Sequence, residues 1–481
     1  MLWGKVTPTY VSCSVLALYA FEAMGKHANL QRSPDGSRSH SAAGLSPQAI
    51  NTLVCLGYGD GMTGVERGVR FSVVLIVISL FIGFALFTFP AQKKSTGRLL
   101  DFSEFYAAGQ IVRQGLGYRL YDLRLQAESQ LQVAALHAFY VRPPFEALIF
   151  VPFTYLSYRV AYSVWIILSL ALLAGACWLI ERNTRVVDAL SQYARGSQID
   201  FGLLLVMFLG FPPTAEGLLI GQDSVLMLVV YTLVFIALKQ KREFRAGCLL
   251  ACGLFKFHLV LPFAIIFLLR RRWSFLGGFA GIGVLLIAVS ILVSGRGVLL
   301  AYPRMFFNSN YRALMGFQPE YAANIRGLVF VIGTGKLPVL PGVLVGVLSG
   351  LLLWAIARNW RDEQSGLCFA AALAGTLLTG YHLFIYDLCL LLLAAAIVCG
   401  ELAQRKALLN DNVLTATLLV LFIPPLHNFL IVHHKYAIMG LPILVLLGII
   451  IRLVGRADTP QPLRSLLSSP DGDLTRESVW G

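Results

Sequence analysis

The chain has 481 residues, 57% of them apolar and only 13% charged, with a mean hydropathy of +0.72. Soluble domains carry about 25% charged residues, so this composition excludes a soluble globule and calls for counting membrane crossings instead of domains. The net charge of +14 comes from short Lys/Arg clusters between apolar runs, as the positive-inside rule produces. No basic stripe on a soluble face exists to bind nucleic acid, and no nucleic-acid partner is expected.

Residues 1–61 differ from the rest of the chain. VSCSVLALYAF, 11–21, is apolar but short of the ~20 residues a span needs. GKHANLQRSPDGSRSHSAAGLSPQ, 25–48, has the composition of a disordered linker. Met62 precedes Arg67 and Arg70, a normal flank for a first span. Residues 1–61 are therefore expected to be a disordered or mis-annotated extension, 62–455 the membrane domain, and 456–481 a disordered cytoplasmic tail.

Apolar segments occur at 71–90, 143–157, 160–181, 200–213, 223–238, 246–269, 273–295, 326–335, 338–357, 366–381, 384–400, 412–431 and 436–453. Several are too short to cross alone, so some spans are tilted, broken or re-entrant. The expected architecture is an all-α polytopic membrane protein of about 10–12 crossings. The clusters Lys239/Lys241/Arg242/Arg245, Arg270–Arg272, Arg358/Arg361, Arg405/Lys406 and Arg452/Arg456 all fall on one side if 246–269 and 366–400 are each hairpins. Loop 91–142, the segment near 213–222, loop 297–325 and the short loop 432–435 then face outward. Lys93, Lys94 and Arg98 run against the rule locally. No strong internal repeat argues for an inverted-repeat transporter.

The first outward loop contains RLLDFSEFYAAGQIVRQGLGYRLYD, 98–122. Its apolar residues at 102, 105, 106, 109, 112 and 116 follow helical spacing, predicting an amphipathic helix that Gly115 and Gly117 end. A second amphipathic stretch starts at Tyr121, and the chain re-enters at Tyr140 and Arg142-Pro143-Pro144. Asp101 has two readings. As an N-cap it satisfies orphan backbone N–H groups, with Glu104 completing a capping box. As a general base at a cavity mouth it takes the proton of an attacking hydroxyl. Glu104 shares its helical side, so paired carboxylates are a third arrangement. Glu104 and Tyr106 are candidate substrate contacts.

Ionisable residues inside spans are functional candidates by default, since each costs ~2.5–3.5 kcal/mol on insertion scales. Lys256 and His258 lie in CGLFKFHLVLPF; a lysine snorkelling from a broken helix is the plainer alternative. His382 and Asp387 lie in TGYHLFIYDLCL, five apart and so off one helical face unless the helix is irregular. His382 either contacts substrate or is a satisfied core histidine, and Asp387 is a partner for Lys256. Arg142 and Arg326 end outward loops and are candidate phosphate clamps or interfacial anchors. Gln222 is a candidate sugar contact, and Asp223 beside it is also a plausible helix cap. His433, His434 and Lys435 suit headgroup contact better than a metal. The eight cysteines lie mostly in apolar runs; Cys248 and Cys252 share a helix face but have no partners for a metal set. No metal and no cofactor are expected.

The stretches DFSEFYAAGQIVRQGLGYRLYD, FYVRPPFEALIFVPFTYL, GLLIGQDSVLMLVVYTLV, AGCLLACGLFKFHLVLPF followed by RRRW, and YHLFIYDLCLLLL occur in an order that resembles glycosyltransferase family 87. The resemblance runs from about 70 to 455, and it rests on order and spacing, not on one sharp motif. It implies a type C glycosyltransferase: a helical bundle whose first outward loop carries an acidic catalytic residue, here Asp101. It implies a polyprenyl-phosphate sugar as donor, mannose leading, a lipid or glycan acceptor, and a site facing outward from a bacterial inner membrane. Glu146 departs from it, since an apolar residue is more usual there. Two other readings remain open. A transporter or flippase of lipid-linked sugars shares the spans but has no need of the long acid-bearing loop. O-antigen ligases or polymerases usually carry their large loop late in the chain.

Overall fold

A computed structural model describes residues 101–134, 138–193, 200–307, 319–332, 339–404 and 412–456. The expected extension, the first span at 71–90 and all but the first residue of the tail lie outside these. The described residues form helices, with no strand among them.

Three short helices make up the loop region: α1 (Phe102–Arg113), α2 (Leu123–Leu131) and α3 (Pro144–Phe150). α4 (Tyr158–Thr184) is the first long span, and α5 (Val186–Tyr193) follows it. α6 (Phe201–Gly210) and α7 (Pro212–Ile220) form a bent pair, and α8 (Ser224–Lys239) runs back. Then come α9 (Glu243–Ala251), a 3₁₀ turn at Leu254–Lys256, α10 (Phe257–Leu269), α11 (Trp273–Ser294) and α12 (Val298–Phe307). The remainder is α13 (Ile325–Ile332), α14 (Val339–Arg358), α15 (Ser365–Thr379), a 3₁₀ stretch at Ile385–Leu390, α16 (Leu391–Gln404), α17 (Asn412–Phe422), α18 (Pro424–Val432) and α19 (Gly440–Arg456).

Among the described residues, five helices are long and apolar enough to cross a membrane, or up to eight if each bent pair is one span. The chain is a multi-pass helical membrane protein. The breaks have sequence causes. Phe211-Pro212-Pro213 turns α6 into α7 by 70°, and Ile423-Pro424-Pro425 turns α17 into α18 by 57°. Proline has no N–H to continue a helix but suits its first turn.

The segment 143–157, apolar enough to be grouped with the candidate spans, is not a span. Seven residues of α3 reach only ~10 Å, a third of the hydrocarbon thickness. The helix packs instead between α1 and α11. The segment 246–269 does behave as a hairpin. It bends by 65°, and Arg272 beyond its end bonds Glu243 at its start at 3.0 Å. Both basic flanks therefore meet at one end of the molecule, with Lys256 at the turn between them.

α8 sets the axis of the rest. Asp223 stands at its start and Lys239 at its end, and 16 residues span ~24 Å. These two ends are the loop end and the basic end. The most deeply covered span is Ile385–Ala403, 94% buried. α11 packs against α9 with backbones nearly touching. A Cβ on Gly247 would overlap the Phe275 carbonyl oxygen, and one on Gly278 would overlap the Phe244 carbonyl oxygen. Small residues permit such approach where apolar area alone drives no association between helices in lipid.

At the loop end an aromatic layer seats α1 on α3 and α4. Phe105 stacks on Phe150 with centroids 4.7 Å apart, and Phe102 sits among Tyr106, Phe150, Phe153, Tyr158, Tyr162 and Trp165. Replacing Gly247 by Val is expected to destabilise the protein by roughly 1–3 kcal/mol through overpacking; thermal unfolding in detergent checks it against a Gly283→Ala control, whose added Cβ meets only the Leu254 side chain at 3.7 Å.

Candidate active site

The site begins at a turn. α7 ends on Gly221, whose φ of +76° is left-handed and open to glycine at little cost. A Cβ there would also stand 2.7 Å from Cβ of Phe102. The turn is pinned from α4: the Trp165 indole donates to Gly221 O at 2.9 Å and the Tyr162 hydroxyl to Leu219 O at 2.7 Å. This holds Gln222, Asp223 and Ser224, all about 2% exposed, beneath α1.

Asp101 precedes α1 and its carbonyl accepts from Glu104 N at 3.0 Å. Its side chain makes no cap bond with the helix. The capping expectation is thus corrected: Asp101 itself has helical φ and ψ, and its carboxylate turns away to accept from the Gln222 amide. Glu104 is buried beside it, and burial first, then the Asp101 charge, push its carboxyl well above the usual range.

Gln222 faces two ways. Its carbonyl oxygen accepts from Arg142 Nη2 at 3.1 Å, so one amide joins Asp101 to a guanidinium. Arg142 reaches Asp223 at 3.2 Å. Lys256, fully buried, places Nζ 2.9 Å from Asp223 Oδ1, 2.6 Å from Asp387 Oδ1 and 2.6 Å from Ser224 Oγ. It donates hydrogen bonds to Ser224 and Asp387, while its contact with Asp223 Oδ1 is an ion pair without a hydrogen bond. Snorkelling is excluded, since a snorkelling lysine keeps its head in water. Asp387 lies in the 3₁₀ stretch, and its second oxygen accepts from Phe384 N at 3.0 Å. Burial pushes the Asp223 carboxyl up, but Arg142 and Lys256 outweigh it and hold the group below its usual range.

His258 Nε2 lies 3.7 Å from Asp387 Oδ2, and its ring meets that of His382 with centroids 5.8 Å apart. His382 is packed on Phe384, and burial lowers it to about 3, so it is a neutral imidazole. Arg326 stands further out, over the Tyr381 ring at 4.1 Å and donating to Tyr381 O at 3.1 Å. Tyr106 is not in the array: its ring belongs to the aromatic layer and its hydroxyl donates to Leu156 O at 2.8 Å. His434 meets the Tyr321 hydroxyl apart from these groups. Among the described residues no three His, Cys, Asp or Glu side chains are grouped as a metal site.

Sequence reasoning missed three groups. Ser224 completes the lysine's coordination. Glu216 lies within electrostatic reach of Asp101; its only signal was a lone acid in FPPTAEGLLIG. Glu146, in sequence only a departure from the family pattern, is fully buried 4.0 Å from Arg142 and 3.5 Å from the Tyr140 hydroxyl. Burial pushes its carboxyl well above the usual range.

Such a molecule, multi-pass and helical with a charged array sealed beneath its first described loop, is of the membrane-enzyme class. Residues 140–385, just over half the chain, match glycosyltransferase family 87, and the chain belongs to that family: it is a membrane glycosyltransferase. No curated protein and no solved structure matches it. The matched stretch contains Arg142, Gln222, Asp223, Lys256, His258, Arg326 and His382, and stops short of Asp101 and Asp387.

Lys256→Met is expected to cost about 3–5 kcal/mol, because buried Asp387 loses its ammonium partner and Asp223 is left with Arg142. Adding Asp387→Asn is expected to recover part of that loss, read by thermal unfolding of both variants. Glu146→Gln removes a buried titrating carboxyl while keeping its shape. Because the folded-state pKa of Glu146 is raised, its contribution is present at low pH and lost as pH rises towards that value. Unfolding midpoints should therefore fall less steeply in the glutamine variant as pH rises from the ordinary carboxylate range.

Proposed function

We propose that the protein moves a hexose, mannose first, from a polyprenyl-phosphate donor to a lipid or glycan acceptor at the loop end, on the outward face of the membrane, with Asp101 as general base. The observation that carries this is the Gln222 amide, which links the Asp101 carboxylate to the Arg142 guanidinium. A sugar phosphate needs both within reach. The acceptor hydroxyl gives its proton to Asp101 as its oxygen attacks the anomeric carbon. The bond from that carbon to the phosphate oxygen breaks, and the electron pair leaves on the lipid phosphate. A phosphate leaves without a proton, so the second requirement is charge stabilisation, not an acid.

Arg142 suits that task better than Lys256. A guanidinium has five donors in a rigid fork, and its contacts with Asp223 and Gln222 leave donors over. Lys256 is fully buried between Asp223 and Asp387, and its part is to hold them in place. His382, neutral, orients a hydroxyl instead of pairing with phosphate, and His258 beside it extends the same wall. Glu104, buried against Asp101, fixes the shape of the base's surroundings. Arg326 lines the outer approach.

The test is sugar transfer from radiolabelled polyprenyl-phosphate mannose by purified protein. Asp101→Asn is expected to lower the rate about 10²–10⁴-fold while donor binding persists. Near wild-type transfer in that variant would remove the base assignment, and a wild type that consumes no polyprenyl-linked sugar would remove the donor. Arg142→Gln is expected to weaken donor binding as well as turnover, seen as a raised KM for the donor together with a lower kcat.

A further inference from the structure

The basic end holds a second polar site, unconnected with the array around Lys256. A cleft of about 490 Å³ opens between the end of α10 and the end of α14, lined by Leu269, Arg270, Arg272, Trp354, Ala357 and Arg358. Three guanidiniums share it. Arg270 donates to Ala357 O at 3.2 Å and Trp360 O at 3.0 Å and pairs with Asp362 at 3.1 Å. Arg272 pairs with the same Asp362 and with Glu243. Arg358, exposed, stacks on Trp354 at 5.3 Å and has no carboxylate partner among the described residues. Two carboxylates thus face three guanidiniums, leaving one positive charge over. Nε of Arg270 is also buried with no hydrogen-bond partner.

The cleft sits at headgroup depth. Trp273 and Trp354 are 67% and 50% exposed at this end, and Trp360 lies under the Arg270 guanidinium; tryptophan collects at membrane–water boundaries. Leu351, Trp354 and Arg358 fall on one face of α14 by helical spacing, and Leu351 and Leu269 are 57% and 46% exposed. Along that face the surface runs from aliphatic to aromatic to cationic towards the helix end. That is the order of acyl chain, glycerol region and phosphate in a lipid. A soluble anion would need the charges and not the stripe.

We propose that this cleft binds the phosphodiester headgroup of an anionic phospholipid from the leaflet at the basic end, with its chain along Leu351 and Trp354. Basic pockets between membrane helices recognise such headgroups, and the fork of Arg358, left over from internal pairing, meets the phosphate. The assignment needs only a membrane-spanning chain and stands whether or not Asp101 is a base.

The test uses purified full-length protein in detergent, offered phosphatidylglycerol, phosphatidylcholine or glycerol 3-phosphate, with bound lipid counted by native mass spectrometry. Wild type is expected to retain phosphatidylglycerol over phosphatidylcholine and to gain thermal stability from it. Arg358→Gln is expected to lower phosphatidylglycerol retention about fivefold, with Arg358→Lys between the two. Equal retention of both lipids by the wild type, a comparison that needs no variant, overturns the proposal. So does a glutamine variant that retains lipid as the wild type does. Glycerol 3-phosphate stabilising as well as the lipid overturns the lipid occupant.

Discussion

A lysine ammonium with three contacts, to Asp223, Asp387 and Ser224, is the point on which the loop end depends. An unpaired charge at this depth would cost several kcal/mol, and so would either carboxylate left alone. The three partners come from the turn before α8 and the 3₁₀ stretch before α16, while Lys256 itself closes the turn between α9 and α10. Three breaks in the helical pattern therefore converge on one ammonium. Irregular backbone at membrane depth persists only where protein covers it. Here the covering includes side chains: Asp387 accepts from the Phe384 amide as well as from Lys256. Remove the charge and both the ion pairs and the turn lose their reason.

The array has a graded character outward from that point. Lys256 is fully buried. Arg142 is anchored on one side by Asp223 and Gln222 and still has donors to spare. Asp101 accepts from the neutral Gln222 amide. Structural charge thus gives way to chemically usable charge over a few residues. Glu104 and Glu146 are both driven towards the neutral form by burial.

Much of this was legible in the sequence, for reasons that differ by residue. Apolar runs of adequate length became helices, while the bends at Pro212-Pro213 and Pro424-Pro425 fall inside segments read as continuous. Lys256 stood out because lysine in an apolar run has few explanations, and Asp387 followed as its partner. The hairpin at 246–269 came from charge bookkeeping across loops. Asp101 shows the limit. Local spacing favoured a cap, since Asp with Glu three residues on is a helix-start signature, yet its partner lies 121 residues away at Gln222. No local rule carries that information. Tyr106 failed the other way: an aromatic on the predicted face suggests a substrate contact, but the layer of rings under α1 has a packing use for it. The segment 143–157 has the hydrophobicity of a span, but Pro143-Pro144 and a 3₁₀ turn at Val151–Tyr155 fold it back.

The two ends of the molecule use arginine in opposite ways, and the contrast follows from dielectric. Arg142 lies among carboxylates because a buried guanidinium must be paired to stay in the protein. Arg358 lies exposed on the Trp354 face, where a charge with no carboxylate partner among the described residues is tolerable and a cation–π contact suffices. A buried, paired arginine accepts a new anion only by sharing donors it already holds in place, which favours accurate positioning over affinity. An exposed, unpaired one accepts an anion with no internal bond to break, which favours retention over geometry. The first arrangement suits a group that must react and leave, and the second suits a lipid that stays.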